Sequence, residues 1–261
     1  MIHLDVGEAT DTGKVRDHNE DGFLIDRELR LAAVADGMGG HSGGEVASAT
    51  ALEALHAAFS ESGGLRDAVL AANDAVLDRA DERPELRGMG TTLTAGVLGD
   101  DDTLLVGHVG DSRAYLVQGG EFSRITTDHS LVEELIAAGE LTEEEAERDP
   151  RRSMITRALG LDADLVVDLY PVPLEPGDRV MICSDGLTNM IGEDTIFDLL
   201  ASESDPSVAA QRLVDAANAA GGVDNTTVVV LDALAEPVEV EEPAPEGGGR
   251  RRRFGIFRRR P

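Results

Sequence analysis

The 261-residue chain is 41% hydrophobic with a single cysteine, Cys183, which excludes a disordered polymer and a disulfide-built scaffold and fits one large domain or two small ones. A net charge of −28 argues against general nucleic-acid binding. Seven of the 23 basic residues crowd into the last twelve positions, which leaves 16 against all 51 acidic ones, a net of −35 for residues 1–249. Met1-Ile-His-Leu-Asp5 has no basic region or long apolar run, and no apolar stretch approaches the roughly 20 residues of a membrane span. A reducing cytoplasm is the expected setting.

In chain order, residues 2–10 and 22–26 read as strands around a polar loop, Arg16-Asp-His-Asn-Glu-Asp21. Leu31 to Ala35 is a short apolar run that reads as a buried strand ending on Asp36-Gly37, followed by a glycine-rich loop and a helix opening near Gly44. Residues 44–60 and 65–80 carry alanine-rich helical patterns separated by Gly63-Gly64. Strands follow at 90–98, 103–109, 112–118 and 121–126, with hairpin turns at Gly99-Asp-Asp-Asp102 and Gly119-Gly120. The short spacings imply antiparallel pairing. His108 reads as a core or edge histidine without a catalytic role. Leu131, Leu135 and Ile136 mark a short helix, and Leu141 to Ala146 another, with Thr142 and Glu145 as a capping box. Residues 165–170 and 178–184 return to strand, 194–201 and 206–220 to helix with Pro206 in a first turn, and 225–231 to a last strand.

One pattern recurs. Apolar strands end on an aspartate plus a small residue at Asp36-Gly37, Asp111-Ser112 and Asp185-Gly186, and Asp224-Asn225 precedes a strand. One Asp-Gly is the commonest hairpin turn. Four carboxylates fixed to the ends of buried strands point to one shared edge, where they repel unless cations lie between them. Carboxylate and carbonyl oxygens suit a hard divalent ion.

Eight ordered motifs resemble those of metal-dependent protein phosphatases of type 2C, in their compact bacterial form. They are Glu20-Asp21, Asp36-Gly-Met-Gly-Gly40, Gly90-Thr-Thr92, Val109 to Tyr115, Thr127-Asp-His-Ser-Leu-Val132, Ile155 to Gly160, Ser184-Asp-Gly-Leu187 and Asp224-Asn-Thr226. The resemblance covers roughly residues 1–233. It implies an α+β fold, a four-layer αββα sandwich whose two face-packed, mainly antiparallel sheets are flanked by helix pairs. It implies hydrolysis of phosphoserine and phosphothreonine in proteins by a hydroxide bridging two Mn²⁺ or Mg²⁺ ions. Asp36 would bridge the pair, with the Gly37 carbonyl and water-mediated contacts from Glu20 on one ion and Asp185 and Asp224 on the other. Asp111, with Asp185, would hold a third, weaker ion. Arg16 would grip the substrate phosphate, although its residue-level alternative is a surface arginine paired with Asp17 or Glu20. Residues 127–152 would form a flap beside the metals, beginning with Asp128, His129 and Ser130. The histidine that eukaryotic relatives place after the Asp-Gly pair is Met38 here, leaving a metal-bound water or His41 as the general acid. The His-Pro pair usual near the flap's end is Asp149-Pro150, which puts flap-dependent substrate preference in question. Arg151-Arg152 would meet phosphopeptide acids or balance the preceding Glu run.

The expected organisation is a phosphatase domain at 1–234, an acidic Pro/Gly linker at 235–249, and an Arg/Phe tail at 250–261 that meets anionic lipid, an acidic partner or the acidic domain itself. The expected partners are phosphorylated proteins, among them a Ser/Thr kinase, and not nucleic acid. The competing functions are a catalytically silent phosphoprotein scaffold, disfavoured because all four carboxylates are present, and a phosphatase dedicated to one regulator such as an anti-sigma-factor antagonist.

Overall fold

A computed structural model describes residues 1–39, 43–146 and 148–236. His41, the linker beyond Glu236 and the basic tail lie outside the described residues. Among the described residues, eleven strands make two antiparallel sheets. The first sheet has the order β1 (Ile2–Asp11), β11 (Thr226–Ala235), β10 (Arg179–Cys183), β7 (Arg113–Gln118), β8 (Glu121–Arg124). The second runs β2 (Asp21–Asp26), β3 (Leu31–Met38), β5 (Leu93–Leu98), β6 (Thr103–Val109), β9 (Asp168–Pro173), with the two-residue β4 (Gly90–Thr91) paired to β3.

Strands with alternating faces bury one side against the partner sheet and the other against helices. Val34, Leu104, Val106, Val180, Ile182, Val229 and Leu231 fill the space between the sheets. On the outer face of the second sheet, Leu55, Val69, Ala72 and Val76 of α1 (Gly43–Ser62) and α2 (Leu65–Glu82) close over Ala33, Ala35 and Leu93. On the outer face of the first, Ile196 and Leu200 of α6 (Glu193–Ser202) and Leu213 and Val214 of α7 (Pro206–Ala219) cover Met181, Cys183 and Val230. Three apolar layers between four layers of structure, two of helices and two of strands, are the αββα sandwich expected. α7 starts as its sequence dictates, with Asp205 accepting from the N–H groups of Ser207 and Val208 and Pro206 in the first turn. The remaining helices are short: α3 (Leu131–Ala137), α4 (Glu143–Ala146) and α5 (Asp185–Thr188).

Several boundaries differ from the periodicity. β3 runs past Asp36 to Met38, because Gly37 and Met38 pair with Thr91 and Gly90. The apolar run at 90–98 is two strands broken at Thr92, whose N–H donates to the Asp36 carbonyl at 2.9 Å. Leu165 and Val167 are buried against α1 and α2 without joining a strand, and pairing with β6 begins only at Asp168. β11 continues to Ala235 because β1 pairs with it along its whole length, Ile2 opposite Ala235 and Asp11 opposite Thr226. β6 and β7 are consecutive but belong to different sheets, and the chain crosses between them at Gly110-Asp111-Ser112. The crossover needs a left-handed residue, supplied by Gly110 at φ 111°.

Candidate active site

The acidic strand ends collect at one edge of the sandwich. Asp21 stands opposite Asp36 in the β2–β3 register. Asp36 is fixed by its backbone: its N–H donates to Thr92 Oγ1 and its carbonyl accepts from Thr91 Oγ1, both at 2.9 Å. Thr92 Oγ1 is also 2.7 Å from Ser112 Oγ, beside Asp111 in the crossover. Asp185 opens α5 directly after β10, and its Oδ2 accepts from Asn189 Nδ2 at 2.9 Å. Asp224 precedes β11, and its neighbour Asn225 holds the 12–20 loop on three atoms. Asn225 Nδ2 donates to the Thr12 and His18 carbonyls at 2.9 Å, and Oδ1 accepts from the Glu20 N–H at 2.8 Å. That brace places Arg16 Nη2 2.7 Å from Asp224 Oδ2. Arg16 is a half-exposed arginine whose ion-pair partner is Asp224, not Asp17 or Glu20.

Electrostatics report the convergence. Burial raises the Asp36 carboxyl well above 3.8, and Asp21, Asp185, Asp111 and Asp224 push it further the same way. Burial and the charges of Asp185 and Asp224 bring Asp21 to about 7. Burial and Asp185 bring Asp111 to about 8. Asp185 is raised by burial and by Asp224. Such a cluster is unfavourable without counter-charge.

The residues fit a pair of hard cations. Asp21 Oδ1 is fully shielded yet has no hydrogen-bond partner, while its Oδ2 accepts from Ser184 Oγ at 2.7 Å. A buried orphaned carboxylate oxygen facing other carboxylates is a ligand site for a cation or its water. Backbone approaches closely at Gly37, where a Cβ would lie 2.1 Å from the Gly44 carbonyl and 2.5 Å from that of Glu20, so only glycine brings these carbonyls together. The donors are oxygen throughout, which selects Mg²⁺ or Mn²⁺ over softer metals. Among the described residues no three carboxylate, imidazole or thiolate groups already enclose one point. Ions held by one or two carboxylates each, completed by carbonyl and water, match the habit of Mg²⁺.

The structure thus gathers Asp36, Gly37, Asp185, Asp224, Asp111, Glu20 and Arg16. The first flap residues Asp128, His129 and Ser130 each have a partner within the chain. Asp128 is clamped by Arg113 (Nε to both carboxylate oxygens at 3.0 Å, Nη2 to Oδ2 at 2.7 Å). Ser130 caps α3, and His129 bonds the crossover. Arg151 turns back on Asp149, with Nε and Nη2 at 2.9 and 2.8 Å, so its balancing acid is Asp149 and not the Glu run. The Thr142–Glu145 capping box is formed. His108 is buried and held neutral by that burial, between Thr94 Oγ1 and the Thr127 carbonyl. Two contributors escaped the sequence reading. Asp21 was visible only as the second acid of Glu20-Asp21, and strand alternation from Gly22 was the signal that it joins the cluster. Thr92 had no local signal beyond its place in Gly90-Thr-Thr92.

Comparison with known proteins gives one consistent result. A family profile described as Protein phosphatase 2C matches residues 14–217. The serine/threonine phosphatase stp of Listeria welshimeri is 38% identical over 236 residues, 85% of this chain and 93% of the relative. The crystal structure of the PPM Ser-Thr phosphatase MsPP from Mycobacterium smegmatis in complex with cacodylate superposes with a TM-score of 0.80 at 43% identity, covering 88% of this chain and 98% of that one. The catalytic domain of the serine threonine protein phosphatase PstP in complex with two manganese ions gives 0.81 at 38% identity, covering 90% and 100%.

Proposed function

The chain belongs to the protein phosphatase 2C family, and from that premise we propose how its acidic edge acts as a metal-dependent serine/threonine phosphatase on phosphorylated proteins. The carrying observation is the set of mutually repelling carboxylates, Asp36, Asp185 and Asp21 half-buried and Asp111 buried, on the ends of separate strands. In this reading Asp36 would serve both of two Mn²⁺ or Mg²⁺ ions, with the Gly37 carbonyl and, through water, Glu20 on one and Asp185 and Asp224 on the other, and Asp111 with Asp185 would hold a weaker third. When bound, the ions supply a water of lowered pKa and positive charge against the phosphate. Thr91 and Thr92 hold Asp36 still. Arg16 projects from the loop that Asn225 braces and offers its planar guanidinium to two phosphate oxygens, exchanging Asp224 for substrate. Asp21 keeps Ser184, and through it the start of Asp185, in place. Cys183, the single cysteine, is fully buried with its thiol pushed up to about 12 by burial, so it is no nucleophile, and no covalent phosphocysteine forms.

The proposal extends to the partners. A Ser/Thr kinase would supply the phosphoproteins, and the Arg/Phe tail at 250–261, outside the described residues, would meet anionic lipid. Among the described residues no helix is long and apolar enough to cross a membrane. Hydrolysis of a phosphothreonine peptide with Mn²⁺ and with chelator, alongside Asp36→Asn, tests the function. Turnover that needs the ion and vanishes in the variant supports it, and wild-type activity in the variant overturns the metal reading. Co-sedimentation with phosphatidylserine vesicles, with and without 250–261, decides the tail.

A further inference from the structure

Residues 127–157 leave the sandwich and return to it beside the crossover that carries Asp111, and one residue, His129, bonds all three segments of chain there. Both polar backbone groups of Gly110 go to His129: its N–H donates to His129 Nδ1 at 3.0 Å, and its carbonyl accepts from the His129 N–H at 2.8 Å. The His129 carbonyl accepts from the Thr156 N–H at 2.8 Å, at the returning end of the segment. The Leu131 N–H donates to the Met154 carbonyl at 2.8 Å and continues that seam. A backbone N–H can only donate, so Nδ1 presents its lone pair and the ring proton is on Nε2. Nε2–H then donates to Asp168 Oδ2 at 3.0 Å, and Arg157 Nη1, 2.9 Å from the same Nε2, gives its proton to Asp168 Oδ1 at 3.1 Å, so the carboxylate takes both donors. The imidazole is 7% exposed, and its burial keeps it neutral, as this pattern requires.

Resting on the reading of Asp111 as an ion ligand and of 127–152 as the segment over the cleft, we infer that His129 is a positioning residue that sets that segment and the Asp111 crossover in one fixed relation. Gly110 carries the chain from one sheet to the other directly before Asp111, and its left-handed backbone (φ 111°) is held on both sides by His129. A shift of the segment therefore moves Asp111, and a shift of Asp111 moves the surface that meets the substrate protein.

Two substitutions separate the ring's two bonds. In His129→Asn, Oδ1 takes the place of Nδ1 and still accepts from Gly110, while the bond to Asp168 is lost. In His129→Gln, the terminal amide replaces Nε2 and the Gly110 bond is lost. Hydrogen–deuterium exchange of the metal-free full chain reads the Gly110 amide, and steady-state kinetics with Mn²⁺ read a phosphothreonine peptide. The expected result for Gln is Gly110 exchange about tenfold faster and KM about tenfold higher with kcat within about twofold, as for loss of one hydrogen bond. The expected result for Asn is less than about threefold in both. Equal behaviour of the two variants overturns the inference. Should either fail to fold, Asp168→Ala, which removes only a third-exposed carboxylate, must still speed Gly110 exchange, because Arg157 Nη1, 2.9 Å from Nε2, then donates to Nε2 and moves the ring proton to Nδ1, which no longer accepts from Gly110; unchanged exchange overturns the inference. Absence of peptide hydrolysis by the parent chain refutes the phosphatase reading, and the exchange at Gly110 still decides the role of His129.

Discussion

Replacing Asp36 by Asn is expected to destroy turnover and, in the absence of metal, to make the protein more stable. The sign follows from linkage. In the unfolded chain each carboxyl releases its proton near the ordinary value of 3.8. In the folded chain Asp21 holds its proton to about 7 and Asp111 to about 8, and Asp36 is raised well above 3.8. Between these limits the folded state binds more protons, so its stability falls as pH rises. Asp21 sets the scale: from 3.8 to about 7, at about 1.4 kcal/mol per pH unit, one such group costs roughly 4 kcal/mol at pH 8. The four acids share their repulsion, so removal of one charge relieves about 2–4 kcal/mol at pH 8 and about 1–2 kcal/mol at pH 5. For a domain of this size that is a rise in melting temperature of roughly 6–12 °C at pH 8. Thermal melts in EDTA at pH 5 and pH 8 measure it. With saturating Mn²⁺ the order reverses, because only the parent gains the binding free energy. An Asp36→Asn protein no more stable than its parent at pH 8, or with the same gain at both pH values, would refute the reasoning.

Arg113→Met leaves the Asp128 carboxylate, 9% exposed, without its two-pronged partner. The expected loss is about 3 kcal/mol in urea denaturation, and Arg113→Lys restores only part of it because an ammonium lacks the planar fork. Thr92→Val keeps the volume but strands the buried Asp36 N–H; a loss of about 1–3 kcal/mol and a lowered kcat are expected, and parental values in both would remove Thr92 from the support of the site. Arg16→Ala is expected to raise KM for a phosphothreonine peptide about tenfold or more with a smaller change in kcat, as loss of a charge-assisted contact to phosphate does; an unchanged KM counts against phosphate gripping.

Whatever depends on near neighbours was legible in the sequence. The helical stripes of 44–60 and 65–80, the Thr142–Glu145 box, the Pro206 start and the turns at 99–102 and 119–120 each rest on residues a few positions apart, and each formed. The four aspartates were legible too, because an apolar run that stops on Asp-Gly, Asp-Ser or Asp-Asn marks a strand end wherever the strand goes. What local pattern could not say was which strand ends meet. β6 and β7 look like successive strands of one meander, yet they part into different sheets at Gly110. β1 finds β11 at the far end of the chain. Arg16 faced two acids in its own loop but bonds Asp224, 208 positions away, because Asn225 pins that loop to β11. Asp21 joined the cluster and Asp128 paired with Arg113 by the same cause. Periodicity fixes which face of an element is apolar. Only the packing of two sheets face to face, with every buried polar group seeking a partner, fixes which charges are brought together at their edge.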